Sequence, residues 1–202
     1  MRNTGGIAKS LATLMLATLC AGAQAEENFS VSVLYGKKYL HQTDWEPTEA
    51  QTELGLGGTY PLPNWPVIMV GHYLRSTSSG TDPVKFPGLN VNGSTTELSF
   101  GARKNLTEGA TKIFTEGGLA FISGKKKFEN SATGESTGSS DSRLGLWLGA
   151  GLDAMVSNAI SLGGVVRLSK ADENGSALGG IHFGIYAAYH FSMAPPAPAS
   201  VE

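Results

Sequence analysis

A two-residue alternation of apolar and other side chains recurs eight times along the chain, and it limits the possible fold more than any other feature. In the clearest segment, residues 143–154, four leucines and an alanine alternate with glycines, charges and a tryptophan. The other segments are 28–40, 48–60, 65–76, 96–103, 111–123, 160–168 and 181–191. This period predicts extended strands with one apolar face. Glycine every few residues disfavours helices.

The connections between these segments alternate between long and short. Residues 77–93 and 124–141 are rich in Ser, Thr, Gly and Asn, so we predict exposed loops there. Residues 60–64 and 157–158 are short and predict tight turns. This alternation predicts antiparallel strands that are joined in sequence order, with the loops at one end of the barrel and the turns at the other.

The residue types on the two faces of the strands indicate which face is outside. Lipid offers the backbone no hydrogen bonds, so a membrane barrel must close and turn its apolar face outwards. Here the opposite face holds glycine, serine and charges of both signs, which suits the narrow interior of eight strands. Aromatic residues near the short turns predict a girdle at the membrane surface; they are Phe29, Tyr60, Trp65, Tyr189 and Phe191. We predict an all-β fold, an eight-stranded antiparallel up-and-down transmembrane β-barrel; a soluble, lipocalin-like barrel is the alternative.

The first 25 residues have the pattern of a secretory signal peptide. Arg2 and Lys9 precede an apolar stretch at 11–23, which is too short to span a bilayer as a helix. Small residues at 23 and 25 predict cleavage after Ala25 and a barrel at 26–192. Lipoprotein processing at Cys20 is the alternative, although a leucine stands before it where a small residue is required.

The charge of the mature chain excludes some classes of partner. After cleavage, 13 Lys and Arg face 17 Asp and Glu, a net charge of −4. With no basic cluster beyond 125–127, which we interpret as a solvated loop tip, we predict no nucleic-acid partner. Cleavage also removes Cys20, the only cysteine, so no disulfide is expected. We predict no metal site and no cofactor, since no suitable spacing of His, Cys or carboxylates occurs.

Charged residues recur on the face that we place inside the barrel. They are Lys38, Glu53, Glu97, Arg103, Glu116, Arg143, Asp153 and Arg167. A lone charge in a dry lumen costs several kcal/mol, and acids and bases are equal in number here. We therefore predict a salt-bridge network that plugs the lumen. A narrow channel for small or apolar molecules, lined by the same groups, is the alternative.

The signal peptide, the eight alternating segments, the short turns and a last strand ending in Tyr189-His190-Phe191 resemble the OmpA/OmpX-type outer-membrane β-barrel family over about residues 26–192. The resemblance implies a Gram-negative outer membrane, both termini in the periplasm, and recognition of Phe191 by the barrel assembly machinery. It also implies contact with lipopolysaccharide and other outer-membrane lipids. Residues 193–202 are rich in Pro and Ala and predict an extended periplasmic tail, similar to the linker of OmpA proteins.

The residues indicate one function and argue against another. Loops 77–93 and 124–141 predict a non-enzymatic role in surface interaction or envelope structure. The pair His190-x-Ser192 resembles the His-x-Ser pair of barrel-type lipid A deacylases. It lies at the end of the last strand with His190 predicted to point inwards, away from lipid, so we predict no enzyme. His72 and His182 are interpreted as isolated, structural residues.

Overall fold

A computed structural model describes residues 29–40, 45–63, 65–173 and 176–191. Its eight strands are β1 Phe29–Leu40, β2 Ala50–Pro61, β3 Ile68–Gly80, β4 Leu89–Asn105, β5 Thr111–Asn130, β6 Ser136–Met155, β7 Ile160–Glu173 and β8 Ser176–Phe191. Each pairs antiparallel with the next, and β8 pairs with β1. The predicted eight-stranded, closed, up-and-down barrel is confirmed. The predicted signal peptide (1–25) and tail (193–202) lie outside the described residues.

Apolar side chains cover the outside of this barrel. On β1, Val33 and Tyr35 are 57% and 56% exposed, whereas Lys38 is completely buried inside. The same holds on β6 and β8, where Leu144 and Ile185 are each 68% exposed. A soluble protein buries such residues, so this barrel is built inside-out relative to a soluble one.

No helix in the described residues is long and apolar enough to cross a membrane.

The predicted loops at 77–93 and 124–141 are wrong, because most of their residues belong to strands. β4 already starts at Leu89, β5 continues to Asn130 and β6 starts at Ser136, which leaves connections of only 81–88 and 131–135. In the extension of β6, residues 136–142 are exposed on both faces and are polar on both, so no apolar alternation marks the strand. In the extension of β4 the inward residues Val91 and Gly93 are buried, but they are too few to form a recognisable apolar period. The backbone ladder forms nevertheless, from Leu89 opposite Asn130 to Glu129 opposite Ser136.

The extensions make the two ends of the barrel unequal. The described parts of the connections are 62–63, 65–67, 106–110 and 156–159 at the turn end, and 45–49, 81–88 and 131–135 at the loop end. We call residues 77–80, 89–94, 125–130 and 136–145 the protruding sheet. Among the described residues its last strand pairs with β5 alone, because the pairing of β6 with β7 begins only at Leu146 opposite Lys170. One edge of the protruding sheet is therefore open.

Two facing glycines allow β4 and β5 to hold a large side chain in the lumen. Gly101 lies opposite Gly118, and a Cβ atom on either one would run into backbone atoms of the other strand. Trp147 on β6 lies opposite Gly118 of β5, and its Nε1 donates a hydrogen bond to the carbonyl oxygen of Phe100 at 3.3 Å. The glycines thus leave room for the Trp147 ring.

Candidate functional site: the barrel lumen and the protruding sheet

Glu97 is the centre of the first of two groups of charges in the lumen. Its Oε1 accepts a hydrogen bond from Nη2 of Arg167 at 2.5 Å, and its Oε2 lies 3.5 Å from Nζ of Lys38. The side chains of Glu97 and Lys38 are each 1% exposed. The Arg167 guanidinium also stacks on the Trp147 ring, 3.9 Å from its centroid. Two cations therefore share one buried carboxylate, and an indole ring covers one of them.

His182 links this group to a second carboxylate. Its Nδ1 lies 2.7 Å from Oε2 of Glu53, and its Nε2 lies 3.5 Å from Oε2 of Glu97 and 3.0 Å from the Ser169 hydroxyl. The Ser76 hydroxyl donates to Glu53 at 2.8 Å. His182 thus contacts two carboxylates and a hydroxyl, and the interpretation of it as an isolated residue is wrong.

The strand register explains why the sequence did not reveal the role of His182. It stands directly opposite Lys38 on β1 and Arg167 on β7, so the three side chains form one row across three strands. That row exists only once the register is known, because the three residues are far apart in the sequence. Aligning the strands so that inward-facing charges of opposite sign stand next to each other would have predicted the register, and the register would have revealed the role of His182.

The second group of charges lies nearer the turn end. Arg103 stands opposite Glu116 and donates to its Oε2 from both Nε, at 2.9 Å, and Nη2, at 2.7 Å. Nε2 of His72 lies 3.5 Å from Oε1 of the same carboxylate. The guanidinium also covers the Phe114 ring, 3.8 Å from its centroid. Glu116 is thus held by a double hydrogen bond from Arg103 and by a nearby imidazole.

The remaining two predicted lumen charges take different places. Asp153 is buried and lines a cavity beside Arg103 and Glu116. Arg143 forms an ion pair of 2.5 Å with the exposed Asp141, near the loop end and above the two groups just described. Arg143 thus joins the protruding sheet, and the structure does not bring it together with the other seven charges.

Little free space remains inside the barrel. The cavity that Asp153 lines has a volume of about 60 Å³, and another of about 20 Å³ lies between the two groups of charges. Each can hold at most a few water molecules. Tyr186 fills the space near the turn end and donates a hydrogen bond to the Leu152 carbonyl at 3.3 Å.

An apolar lid closes the loop end of the lumen. Trp45, from the β1–β2 connection, is buried together with Leu40, Ile122 and Leu178. Its ring lies so close to Gly124 that a Cβ atom there would approach it to 2.8 Å. This lid was not predicted, since Trp45 lies in a connection with no periodic pattern. It separates the buried charges from the loop end.

Aromatic side chains mark both edges of the apolar outer surface. At the turn end, Phe191 contacts Phe29 and Tyr189, with ring centroids 5.3 and 4.8 Å apart, and Tyr60 and Trp65 are exposed nearby. The structure thus places all five predicted girdle residues at this end. A second group, which we did not predict, consists of Tyr35 and Tyr39, both exposed on the loop-end half of β1.

His190 does not form a recognisable catalytic site in the described residues. Its Nε2 lies 2.8 Å from the hydroxyl of Ser161, on the inner side of the turn end. Ser192, the other half of the His-x-Ser pair, lies outside the described residues. The described residues also contain no cluster of His, Cys, Asp or Glu that could hold a metal ion.

Lys126 fastens a connection to the protruding sheet, and our interpretation of it as part of a solvated loop tip is wrong. It lies within β5, and its Nζ donates to the Glu46 carbonyl at 2.9 Å. Nζ also lies 5.3 Å from the Phe86 ring and 5.1 Å from the Phe128 ring. Glu46 belongs to the β1–β2 connection and Phe86 to the connection 81–88. In the latter, hydrogen bonds from the backbone N–H groups of Lys85 and Val84 hold the pKa of Asp82 below its ordinary value. The connection 81–88 is therefore anchored to the sheet.

Solved structures with the same fold are small outer-membrane proteins. Ail, the attachment invasion locus protein of Yersinia pestis, has a TM-score of 0.59 at 18% identity, over 82% of this chain and all of its own. Neisserial surface protein A also gives 0.59, at 11% identity, over 83% of this chain and all of its own. A major outer membrane protein of Thermus thermophilus gives 0.54 at 15% identity, over 81% of this chain and 99% of its own.

The chain has the fold of a small outer-membrane β-barrel. At such low identities the likeness extends to the fold alone. No family model and no curated protein sequence matches the chain.

Proposed function

We propose that this protein is an integral outer-membrane protein of a Gram-negative bacterium, a sealed barrel that carries a recognition surface on its loop end. The apolar outer wall is the observation that carries the proposal, because leucines, valines and aromatic rings alternate with a charged interior around all eight strands. Only a lipid environment makes that distribution favourable. The aromatic groups at both edges fit the two membrane surfaces.

The lumen supports a scaffold and gives no support to a channel. A permeating molecule would have to separate buried ion pairs such as Arg167–Glu97 and displace the Trp45 lid. Breaking one buried pair costs about 3–5 kcal/mol. The two cavities of about 60 and 20 Å³ are too small to form a path through the barrel.

The protruding sheet is the surface that we assign to recognition. Its outer strand, residues 136–145, has an open edge of unpaired backbone groups, to which an extended segment of a partner protein can add as a further strand. Seven consecutive residues at its start, 136–142, are exposed. Ail, which shares the fold, is an attachment invasion locus protein and was solved in complex with the heparin analogue sucrose octasulfate. That protein therefore offers a precedent for surface contacts on such a barrel.

The proposal includes a defined orientation and biogenesis. We place the loop end outside the cell and both termini in the periplasm, after cleavage following Ala25. The barrel assembly machinery inserts the barrel, with Phe191 in its terminal strand, and the outer wall contacts lipopolysaccharide and other outer-membrane lipids. Enzymatic activity has no place in this proposal; unchanged acylation of lipid A in cells with and without the protein is the expected result.

Cysteine labelling in intact cells tests the location and the orientation together. Ser140→Cys lies on the protruding sheet and Asn158→Cys in a turn at the other end, and both positions are exposed. We expect a membrane-impermeant maleimide to label only Ser140→Cys in intact cells and both variants after lysis. Labelling of Asn158→Cys alone would reverse the orientation. A chain found in the soluble fraction, without a compact band in unheated gels, would refute the membrane barrel.

A further inference from the structure

Two cations on the outer wall, towards the loop end of its apolar band, have no ion-pair partner among the described residues. Lys37 on β1 and Arg75 on β3 both point outwards and are exposed. Within the described part of the chain neither forms an ion pair or a side-chain hydrogen bond. Their outward neighbours are uncharged: Tyr35 and Tyr39 flank Lys37, and Tyr73 lies two residues before Arg75, which stands opposite Thr96. Uncompensated charge beside a lipid-facing surface requires an explanation.

The register brings the two cations to either side of one strand. Lys37 lies opposite Thr52, and Arg75 lies opposite Leu54, both on β2. With strands about 4.8 Å apart and a two-residue offset, their Cα atoms are separated by roughly 12 Å. Long, flexible side chains on either side can meet over the exposed Thr52 hydroxyl. The arrangement can hold a phosphate between an ammonium group and a guanidinium group.

A groove in the outer wall begins beside Lys37. It has a volume of about 1070 Å³ and runs from β1 across the outer surfaces of β8, β7 and β6. Small residues, Ala150 and Gly164, form its floor, while Phe183 and Ile185 form its wall with Tyr35. Hydrocarbon can fill this indentation. A second, smaller one of about 690 Å³ lies on the outer surfaces of β4 to β7 and does not reach Lys37 or Arg75.

We propose that Lys37, Thr52 and Arg75 bind a phosphate of a phosphorylated glycolipid of the lipid A class, one acyl chain of which occupies the adjacent groove. The proposal rests on the outer-membrane location proposed above, which places this glycolipid in the leaflet at the loop end. The charges of the outer wall match that leaflet. Lys125, a third exposed cation without an ion pair in the described residues, projects from β5 farther towards the loop end.

Lipid binding by the folded barrel in dodecyl maltoside tests the site. Native mass spectrometry would be used to titrate the protein with diphosphoryl lipid A, with the same lipid after dephosphorylation, and with phosphatidylglycerol. We expect the diphosphoryl form to bind at least about tenfold more tightly than either of the others. In the double variant Lys37→Gln/Arg75→Gln we expect that preference to disappear, because each cation near an anionic headgroup contributes severalfold to binding.

Lys104→Gln is the matched control. Lys104 also points outwards from the wall, but at the turn end, and it has no ion pair in the described residues. We expect this variant to bind diphosphoryl lipid A like the wild type. Ala150→Phe, which fills the groove without changing charge, should weaken binding severalfold for both forms of lipid A.

The outcomes separate the site from the membrane location. Equal binding by the double variant and the wild type would overturn the site, as would equal binding of phosphorylated and dephosphorylated lipid A. If phosphatidylglycerol bound as tightly as lipid A, the two cations would be attracting anionic lipids in general, and the proposed specificity for lipid A would be overturned. Folding is checked first, by resistance to SDS before heating and by insertion into vesicles; failure there refutes the proposed location itself.

Discussion

The Arg103–Glu116 pair offers the sharpest test of the charged lumen. Replacing Glu116 with Gln keeps the size of the side chain but removes the carboxylate that is hydrogen-bonded to the Arg103 guanidinium, which is only 12% exposed. Asp153, which lines the same cavity, remains as a more distant countercharge. Breaking a buried pair in this way costs about 3–5 kcal/mol. The Phe114 ring, 3.8 Å from the guanidinium, and the cavity of about 60 Å³ beside it provide partial compensation. We therefore expect a loss of about 3 kcal/mol, the lower end of that range.

Urea unfolding of the barrel in lipid vesicles, followed by tryptophan fluorescence, measures this loss. The double variant Arg103→Met/Glu116→Gln should recover at least half of the lost stability, because it removes the stranded charge along with its partner. Asp141→Asn serves as the control, since the Arg143–Asp141 pair lies at the exposed loop end and such pairs contribute about 0–1 kcal/mol. A loss below about 1 kcal/mol for Glu116→Gln, equal to that of the control, would refute the claim that this pair is dry.

Three further predictions concern packing, the outer wall and conduction. Gly118→Ala should destabilise the barrel by about 1–3 kcal/mol in the same urea assay, because its Cβ atom would meet the backbone of β4. Gly58→Ala is the control: the nearest atom to its Cβ would be 3.6 Å away, so its stability should stay within about 0.5 kcal/mol of the wild type. Leu56→Arg, outward near the middle of β2, should cost about 2–4 kcal/mol, and Thr77→Arg, outward on the protruding sheet, should cost under about 1 kcal/mol. In planar bilayers the wild-type barrel should show no stable conductance steps; steps that vanish in Glu97→Gln/Arg103→Gln would instead establish the channel.

The barrel could be predicted from sequence because lipid imposes a strict rule on its strands. Wherever a strand crosses the apolar band, outward residues must be apolar, and the alternation at 143–154 or 181–191 follows directly. The rule ends where the strands leave the band. Residues 125–130 and 136–142 have no buried position, and in 89–94 only Val91 and Gly93 are buried, so no apolar period extends over these segments and the sequence predicts loops where the structure has strands. Backbone pairing, which leaves no trace in side-chain type, extends them.

The lumen was only partly predictable for a related reason. The inward position of a charge such as Glu53 follows from the phase of its strand, but its partner follows from the register between strands. That register places His182 beside Glu53 and Glu97, and no single segment of the sequence reveals it. Arg143 has the inward phase too, yet it lies above the closed part of the barrel, where Asp141 is within reach. Phase alone does not give the height of a residue along the barrel.

Accessibility favours recognition on the outside of this protein, because the polar atoms of the lumen that lack a hydrogen bond, such as Nζ of Lys38 and Oδ1 of Asp153, are buried where a ligand does not reach them. Inside, carboxylates such as Glu97 and Glu116 already have cationic partners. A ligand that bound them would first have to break those ion pairs, and the free energy lost in doing so would offset the free energy of its own contacts. Outside, Lys37 and Arg75 have no described partner, and the edge of strand 136–145 has unused hydrogen-bonding groups. A ligand that meets these groups exchanges only water for them, so its net gain is larger. We therefore propose lipid at the wall and protein at the open edge as partners, since this chain could bind both without unfolding any part of its barrel.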